Sequence, residues 1–267
     1  MKLNQFGKIA IALSLSASLQ TFVSTPAISK EMYKIVALTS NNTLVNYDSM
    51  SRRSDRAMNI KGVDGNVLGI DFRPVNGMLY AITDTDKIYT INTNNGVDTL
   101  VSTLSISFNG GFQAGVDFNP VADRLRVVSN NGQNFRINVE TGVVTADKTL
   151  NYNPGQGLGI TAAAYTNSKA GATTTKLYNL DYVSNTLVAQ TPPNDGVLSS
   201  VGSLKMNLPP VAGFDIVTDS KGNNLGFIVS DKSLYTVDLF TGAAKMMGNF
   251  REGNLIGVAV SMNARNR

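Results

Sequence analysis

Three aspartates at equivalent places in a repeated segment are the residues best suited to do chemistry in this sequence. The segment occurs at residues 69–74, 115–120 and 213–216, and its aspartates are Asp71, Asp117 and Asp215. If the three side chains meet, their oxygens suit Ca²⁺, which takes carboxylate ligands. A pair of such carboxylates could also supply the acid and the base of a glycosidase.

A structural interpretation of the same aspartates stands beside the chemical one. A residue that recurs in every repeat often caps a turn or accepts backbone N–H bonds at a fixed place in the fold. Two weaker copies of the segment carry alanine in the equivalent place, Ala164 and Ala259. The pattern favours the structural interpretation and leaves a ligand or metal site open.

A second group of polar residues lies in the stretch 123–138. Arg124, Arg126 and Arg136 lie there with Asn134 and four other amide side chains. Alternation along a strand puts Arg124 and Arg126 on one face, where they could bind a carboxylate or a sugar. We favour the alternative, an arginine pair that is buried and holds neighbouring loops by hydrogen bonds to backbone carbonyls.

Composition excludes several classes of chemistry. The chain has no cysteine and no histidine, which excludes disulfides, thiolate metal sites, cysteine nucleophiles and histidine-assisted serine catalysis. Beyond residue 27 the glutamates are Glu31, Glu140 and Glu252 alone. A general acid of raised pKa is most easily made from a partly buried glutamate, so this scarcity weakens the case for an enzyme.

The elements that must position these side chains are short strands that repeat with a period of about 40–50 residues. Each copy of the segment is followed by runs of β-branched and aromatic residues bounded by Gly, Asn and Asp, as in hairpins. Asn95-Gly96 and Asp195-Gly196 have the residues of tight turns. Runs such as 79–83 are apolar on both faces, which favours the stacked sheets of an all-β propeller over a two-sheet sandwich.

The two ends of the chain complement each other. Residues 255–260 resemble the first strand of a unit, whereas 33–38, 44–47 and 57–61 supply three strands that lack a first strand. We therefore expect the C-terminal strand to pair with the N-terminal strands and close a five-bladed β-propeller, because closure leaves no open edge. The single propeller domain is predicted over residues 28–267.

The first 27 residues have the pattern of a secretory signal peptide. Lys2 and Lys8 precede a short apolar run, 9–19, and small residues follow up to Ala27. The run is shorter than the ~20 apolar residues of a membrane span. We expect cleavage after Ala27, export to the periplasm or the cell exterior, and no membrane span in the mature chain. Loss of the two lysines lowers the formal net charge from +4 to +2, and no basic cluster indicates nucleic-acid binding.

Several stretches together resemble a known family. Residues 115–129, 132–138, 162–167, 190–196 and 234–242 are similar to the family catalogued as domain of unknown function 4394. The resemblance covers nearly the whole chain after the signal peptide. It implies an exported bacterial protein with propeller-like repeats, and it carries no activity and no catalytic residue over to this chain.

Two functional hypotheses of different classes follow. The first is a non-catalytic binding or scaffold module that uses loops at one end of the ring, with a small molecule, a glycan or a protein as its partner. The alternative is a hydrolase or lyase acting on a carbohydrate or a lactone, with the three aspartates, with or without Ca²⁺, at the propeller channel. Convergence of the three carboxylates would keep the alternative open, and divergence would end it.

Overall fold

Strands form where the sequence places β-branched and aromatic runs between Gly, Asn and Asp turns. The computed structural model describes residues 33–110, 114–152 and 158–262, which all belong to one unit, Glu31–Arg267. These residues form five small sheets, and the protein is a five-bladed β-propeller. The predicted signal peptide lies outside the described residues.

Blades 1 to 3 contain the first twelve strands of the described chain, and blade 1 also contains the last strand. The strands of each blade are given from the innermost to the outermost. Blade 1 consists of β22 (Leu255–Met262), β1 (Tyr33–Thr39), β2 (Thr43–Asp48) and β3 (Arg53–Ser54), with β4 (Met58–Asn59) also paired to β2. Blade 2 consists of β5 (Val67–Phe72), β6 (Leu79–Thr83), β7 (Lys87–Ile91) and β8 (Asp98–Thr103). Blade 3 consists of β9 (Gly115–Asn119), β10 (Arg124–Val128), β11 (Asn134–Ile137) and β12 (Val144–Ala146).

Blades 4 and 5 have the same inner-to-outer order. Blade 4 consists of β14 (Ile160–Tyr165), β15 (Leu177–Asp181), β16 (Thr186–Gln190) and β17 (Val197–Ser203), with the short β13 (Asn151–Tyr152) parallel to β17. Blade 5 consists of β18 (Gly213–Thr218), β19 (Asn224–Ser230), β20 (Ser233–Val237) and β21 (Ala244–Asn249). A single 3-10 turn, Pro193–Asp195, is the helical segment of the described residues.

The inner strands surround the axis of the ring. They contact one another in the order β22, β5, β9, β14, β18 and back to β22. The last strand, β22, pairs antiparallel with β1, so the two ends of the described chain share one sheet. The strand predicted over 57–61 is shorter than expected, since only the two-residue β4 forms there, and the two-residue β3 pairs with β2 just before it. The intervening residues are mostly polar and exposed, so they have no apolar face to bury.

The core lies between neighbouring blades. Strand β6 is buried along its whole length, as its two apolar faces predict. Tyr80 of blade 2, for example, packs edge-on against Phe118 of blade 3 at 5.2 Å between ring centroids. Gly96 and Gly196 have φ of 72° and 67°, which confirms the two predicted turns that need a left-handed residue.

The glycine that begins each Gly-x-Asp segment lets adjacent inner strands approach closely. A Cβ at Gly115 would lie 2.6 Å from the backbone nitrogen of Ala163 in the next blade, and one at Gly213 would lie 2.6 Å from Gly257. No side chain fits at such distances. The glycines therefore bring each aspartate within reach of the neighbouring inner strand.

Candidate functional site

The three repeated aspartates converge in the channel. One carboxylate oxygen from each of Asp71, Asp117 and Asp215 lies within 4.8 Å of one from each of the others. All three residues are buried, with 3%, 1% and 2% of their surface exposed. The convergence that keeps the catalytic and metal hypotheses open is therefore present.

Each of these carboxylates also bonds the backbone of the next blade. The N–H group that it accepts belongs to the residue just past the equivalent aspartate position. The pairs are Asp71 with Phe118 at 2.7 Å, Asp117 with Tyr165 at 3.2 Å and Asp215 with Val260 at 2.5 Å. The aspartates thus connect blade 2 to 3, 3 to 4 and 5 to 1.

Alanine in place of the motif aspartate leaves an inner-strand N–H group of the next blade without this acceptor. Because Ala164 cannot accept a bond, the N–H group of Ile216 turns to the aspartate just before it, Asp215, at 2.5 Å. Three carboxylates therefore accept four of the five equivalent inner-strand N–H groups. A buried N–H without a partner costs about 1–3 kcal/mol, so this arrangement stabilises the ring.

Burial governs the protonation of the cluster. It raises the pKa of Asp215 to about 6, in opposition to the hydrogen bonds from Val260 and Ile216. Burial, and then the charges of neighbouring aspartates, raise the pKa of Asp71 and of Asp117 well above the usual range. The cluster therefore holds protons at a pH at which exposed carboxylates are ionised.

In the described part of the chain, the channel between the mouth and these carboxylates is too narrow for a substrate. Between the mouth of the ring and the aspartates, the inner strands and neighbouring residues enclose only about 10 Å³, with Ile70, Val116 and Phe214 among the lining residues. This is room for about one water at most. The cluster also fits Ca²⁺ poorly, because the ion takes six to eight oxygen ligands, and backbone N–H donors already point at these oxygens.

The predicted arginine group separates into a network around the buried Arg126 and a partly buried residue outside it, Arg124. Arg126 is 1% exposed and donates to Tyr165, Asn134 and Asp147 at 2.7–3.0 Å. Arg136 donates to both oxygens of Asp147, at 2.7 Å each. Arg124 instead bonds the carbonyls of its own turn, so the two arginines predicted to share a face do not share a site.

The network fastens a loop of blade 4 to blade 3. Arg126 reaches the Asn194 side chain at 2.8 Å, and Asn134 donates to the carbonyl of Pro193 at 3.0 Å. Gln190 donates to the same Pro193 carbonyl at 2.6 Å. These contacts match the structural interpretation of a buried arginine, although its partners are mainly side chains of Asn, Asp and Tyr rather than carbonyls.

A pocket of about 760 Å³ opens at the end of the ring where the inner strands begin. Its lining comes from the loops and strand starts of blades 1, 2, 3 and 5. The apolar part is Val67, Leu68, Phe108, Pro209, Val211, Leu255 and Ile256, and the polar part is Ser40, Asn66, Asp84, Asn109, Asp231 and Asn254. Most of the apolar residues are buried and all of the polar ones are exposed, so the pocket has an apolar floor under a polar rim.

Comparison with known proteins decides the family. The profile described as "Domain of unknown function (DUF4394)" matches residues 43–259. The chain belongs to the DUF4394 family. Among curated proteins, none matches the sequence.

Solved structures with a similar fold have low sequence identity to this DUF4394 protein. A structural genomics protein of unknown function from Bacteroides thetaiotaomicron VPI-5482 is 21% identical, with TM-score 0.49, over 81% of this chain and 57% of that one. A protein of unknown function from Bacteroides caccae is 9% identical, with TM-score 0.48, over 88% and 100% of the two chains. Virginiamycin B lyase from Staphylococcus aureus is 12% identical, with TM-score 0.42, over 82% and 70%.

Two features of this DUF4394 protein were not predicted from the sequence. Arg73, which follows the first copy of the motif, is buried and forms ion pairs with Asp123 at 2.5 Å and Glu140 at 3.1 Å. The first copy of the segment ends in Arg73-Pro74, where the second copy ends in Asn119-Pro120. This difference was the sequence feature that could have indicated the role of Arg73. The mouth pocket gave no signal, because its residues come from separate loops that only the fold brings together.

Proposed function

We propose that this protein is an exported, non-catalytic binding module whose ligand is a small molecule held in the mouth pocket. The observation that carries the proposal is the pocket itself, about 760 Å³ with an apolar floor and a polar rim. Pockets of this size and composition are typical of small-molecule sites.

The position of the pocket supports the same function. Loops from several blades surround it, and the inner strands beneath it are tightly packed, so the site rests on a rigid scaffold. Export rests on the signal-peptide pattern in the sequence. In the described part of the chain, no helix combines the length and the hydropathy that a membrane crossing requires.

The alternative function, a carbohydrate- or lactone-directed hydrolase or lyase, has one observation in its favour, the convergence of Asp71, Asp117 and Asp215. Its weakness is access, because the described part of the channel between the mouth and these aspartates is too narrow for a sugar or a lactone. Thermal unfolding with millimolar Ca²⁺ and with EDTA tests the metal form of this alternative. A melting temperature raised by Ca²⁺ and unchanged by it in Asp117→Asn would favour the alternative, since a ligand of the folded state must stabilise it.

Binding of the neutral apolar dye Nile red tests the proposed pocket. We expect fluorescence enhancement with the intact protein and its loss in Val211→Arg, which places a charged side chain at the partly buried floor. Val143→Arg is the matched control, since Val143 is 55% exposed and lies outside the pocket. Equal dye binding by Val211→Arg and the intact protein would reject the pocket as the binding site.

A further inference from the structure

The charge of the mouth pocket differs from that of the chain. The formal net charge of the whole sequence is +4. Among the described residues that line the pocket, the charged ones are Asp84 and Asp231, and none is a lysine or an arginine. The two carboxylates belong to different blades, 2 and 5, and both line the pocket. A pocket with this charge favours a positively charged ligand.

The rim carboxylates differ in what they bond. Asp84 accepts from the backbone N–H of Asn66 at 2.8 Å and from its side-chain amide at 2.7 Å, so it holds the start of blade 2 in place. The side chain of Asp231 has no hydrogen bond or ion pair to any residue in the described part of the chain, and it is exposed. Of the two rim carboxylates, that of Asp231 is therefore the one that forms no hydrogen bond or ion pair within the described part of the chain.

Equivalent hairpins in other blades show why this is unusual. Asn42, Asp86, Asn185 and Asp231 lie in the hairpin between the second and third strands of their blades, and all have left-handed backbones, with φ of 52–62°. In the first three, the side-chain oxygen accepts an N–H from the segment leading to the next inner strand. The donors are Val67 at 2.8 Å, Phe108 at 2.8 Å and Leu208 at 2.6 Å, in that order.

In blade 5 the backbone carbonyl of Asp231 takes over this contact. It accepts the N–H of Leu255 at 2.9 Å, which leaves the side chain at the rim of the pocket. A left-handed turn tolerates asparagine as well as aspartate. The turn therefore accounts for a short polar side chain at this position but gives no reason for its negative charge.

We infer that the mouth pocket selects amphiphilic molecules with a cationic amine, whose apolar body covers the floor and whose ammonium group bonds the carboxylate of Asp231. Asp84 adds negative charge to the pocket lining while it keeps its bonds to Asn66. This inference rests on the proposed function, because it specifies the ligand class of the same pocket.

Three adamantane derivatives of nearly equal shape test the inference by calorimetry: the ammonium form of adamantyl amine, neutral adamantanol and adamantane carboxylate. We expect the amine to bind roughly fivefold more tightly than the alcohol, as for a partly exposed ion pair. The carboxylate should bind most weakly. In Asp231→Asn, which keeps a residue suited to the turn, the preference for the amine should fall while the affinity for the alcohol stays the same.

The control variant is Asp55→Asn, an equal change of charge at an exposed residue outside the pocket, which should leave all three affinities unchanged. Equal binding of amine and alcohol, or a preference that persists in Asp231→Asn, overturns the inference. If no adamantane binds while Nile red still binds and Val211→Arg blocks it, the cationic class is rejected and the pocket stands. If Nile red does not bind either, both proposals fall.

Discussion

The aspartates of the channel and the aspartate at the mouth occupy repeated positions, yet their surroundings differ. Asp71, Asp117 and Asp215 are buried and accept backbone N–H groups of neighbouring strands. Asp231 is exposed, and its carboxylate bonds no described residue. In the channel, the repeated residue makes the contact that the ring requires. At the mouth, one blade departs from the contact that its equivalents make, and the proposed binding function rests on that departure.

From this comparison we predict that variants in the ring interior change the free energy of unfolding and leave Nile red binding intact. Variants at the mouth should weaken Nile red binding and leave the free energy of unfolding nearly unchanged. The expected effect on stability decreases from Gly115→Ala to Arg126→Met to Asp117→Asn. Each of these interior variants is to be tested for dye binding as well as for unfolding.

The largest effect is expected for Gly115→Ala. Its Cβ would lie 2.6 Å from the backbone nitrogen of Ala163, and backbone in a closed ring cannot move away without shifting a blade. We expect a loss of about 4 kcal/mol in the free energy of unfolding, measured by urea denaturation. Gly257→Ala is the matched control at the equivalent place in blade 1. Its Cβ would meet nothing nearer than Leu38 at 3.5 Å, so similar losses in both variants would contradict the close-approach argument.

A smaller effect is expected for Arg126→Met. The substitution removes the donor shared by Tyr165, Asn134 and Asn194 and leaves Asp147 paired with Arg136 alone, which should cost about 3 kcal/mol. Arg124→Met should change the free energy of unfolding by less than about 0.5 kcal/mol, because Arg124 bonds only its own turn at the surface. If the two variants unfold alike, the buried network does not fasten blade 4 to blade 3.

The smallest effect on stability is expected for Asp117→Asn, and this effect depends on pH. Burial raises the folded-state pKa of these carboxyls above their unfolded values, so their contribution to stability is present at low pH and is lost as pH rises through the folded pKa, about 6 for Asp215. Asparagine still accepts the Tyr165 N–H but does not ionise. Between pH 4 and pH 7, Asp117→Asn should therefore gain about 2 kcal/mol relative to the intact protein, measured by urea denaturation at each pH.

The control for the pH experiment is Asp55→Asn, which removes an exposed carboxyl. Its stability should parallel that of the intact protein across the same range. Parallel curves for Asp117→Asn as well would mean that the channel carboxyls are not protonated in the way their burial implies.

The sequence predicted the fold well because the blades of a propeller repeat one sequence pattern. The Gly-x-Asp segment marked the inner strands, and the two-faced apolar runs indicated stacked blades. The strand predicted over 57–61 in blade 1 is shorter than expected, because the residues before it are polar and exposed. Short strands of that kind depend on pairing with β2 rather than on their own pattern.

The candidate site was predicted only in part. Convergence of the three aspartates could be anticipated from their equivalent positions, but which N–H group each one accepts depends on the register between blades. Alternation placed Arg124 and Arg126 on one face, yet only Arg126 lies inside the blade, because Arg124 begins β10 beside the turn. Partners from other blades, such as Asn194, and the loops of the mouth pocket come together only in the folded chain.

The most direct test of this account measures Nile red affinity and urea stability together in Val211→Arg and Asp117→Asn. We predict that Val211→Arg loses dye binding and keeps the free energy of unfolding within about 1 kcal/mol. Asp117→Asn should keep dye binding and show a smaller fall in stability between pH 4 and pH 7 than the intact protein. Retained binding in Val211→Arg together with lost binding in Asp117→Asn would contradict it, because the ligand site would then lie at the channel carboxylates.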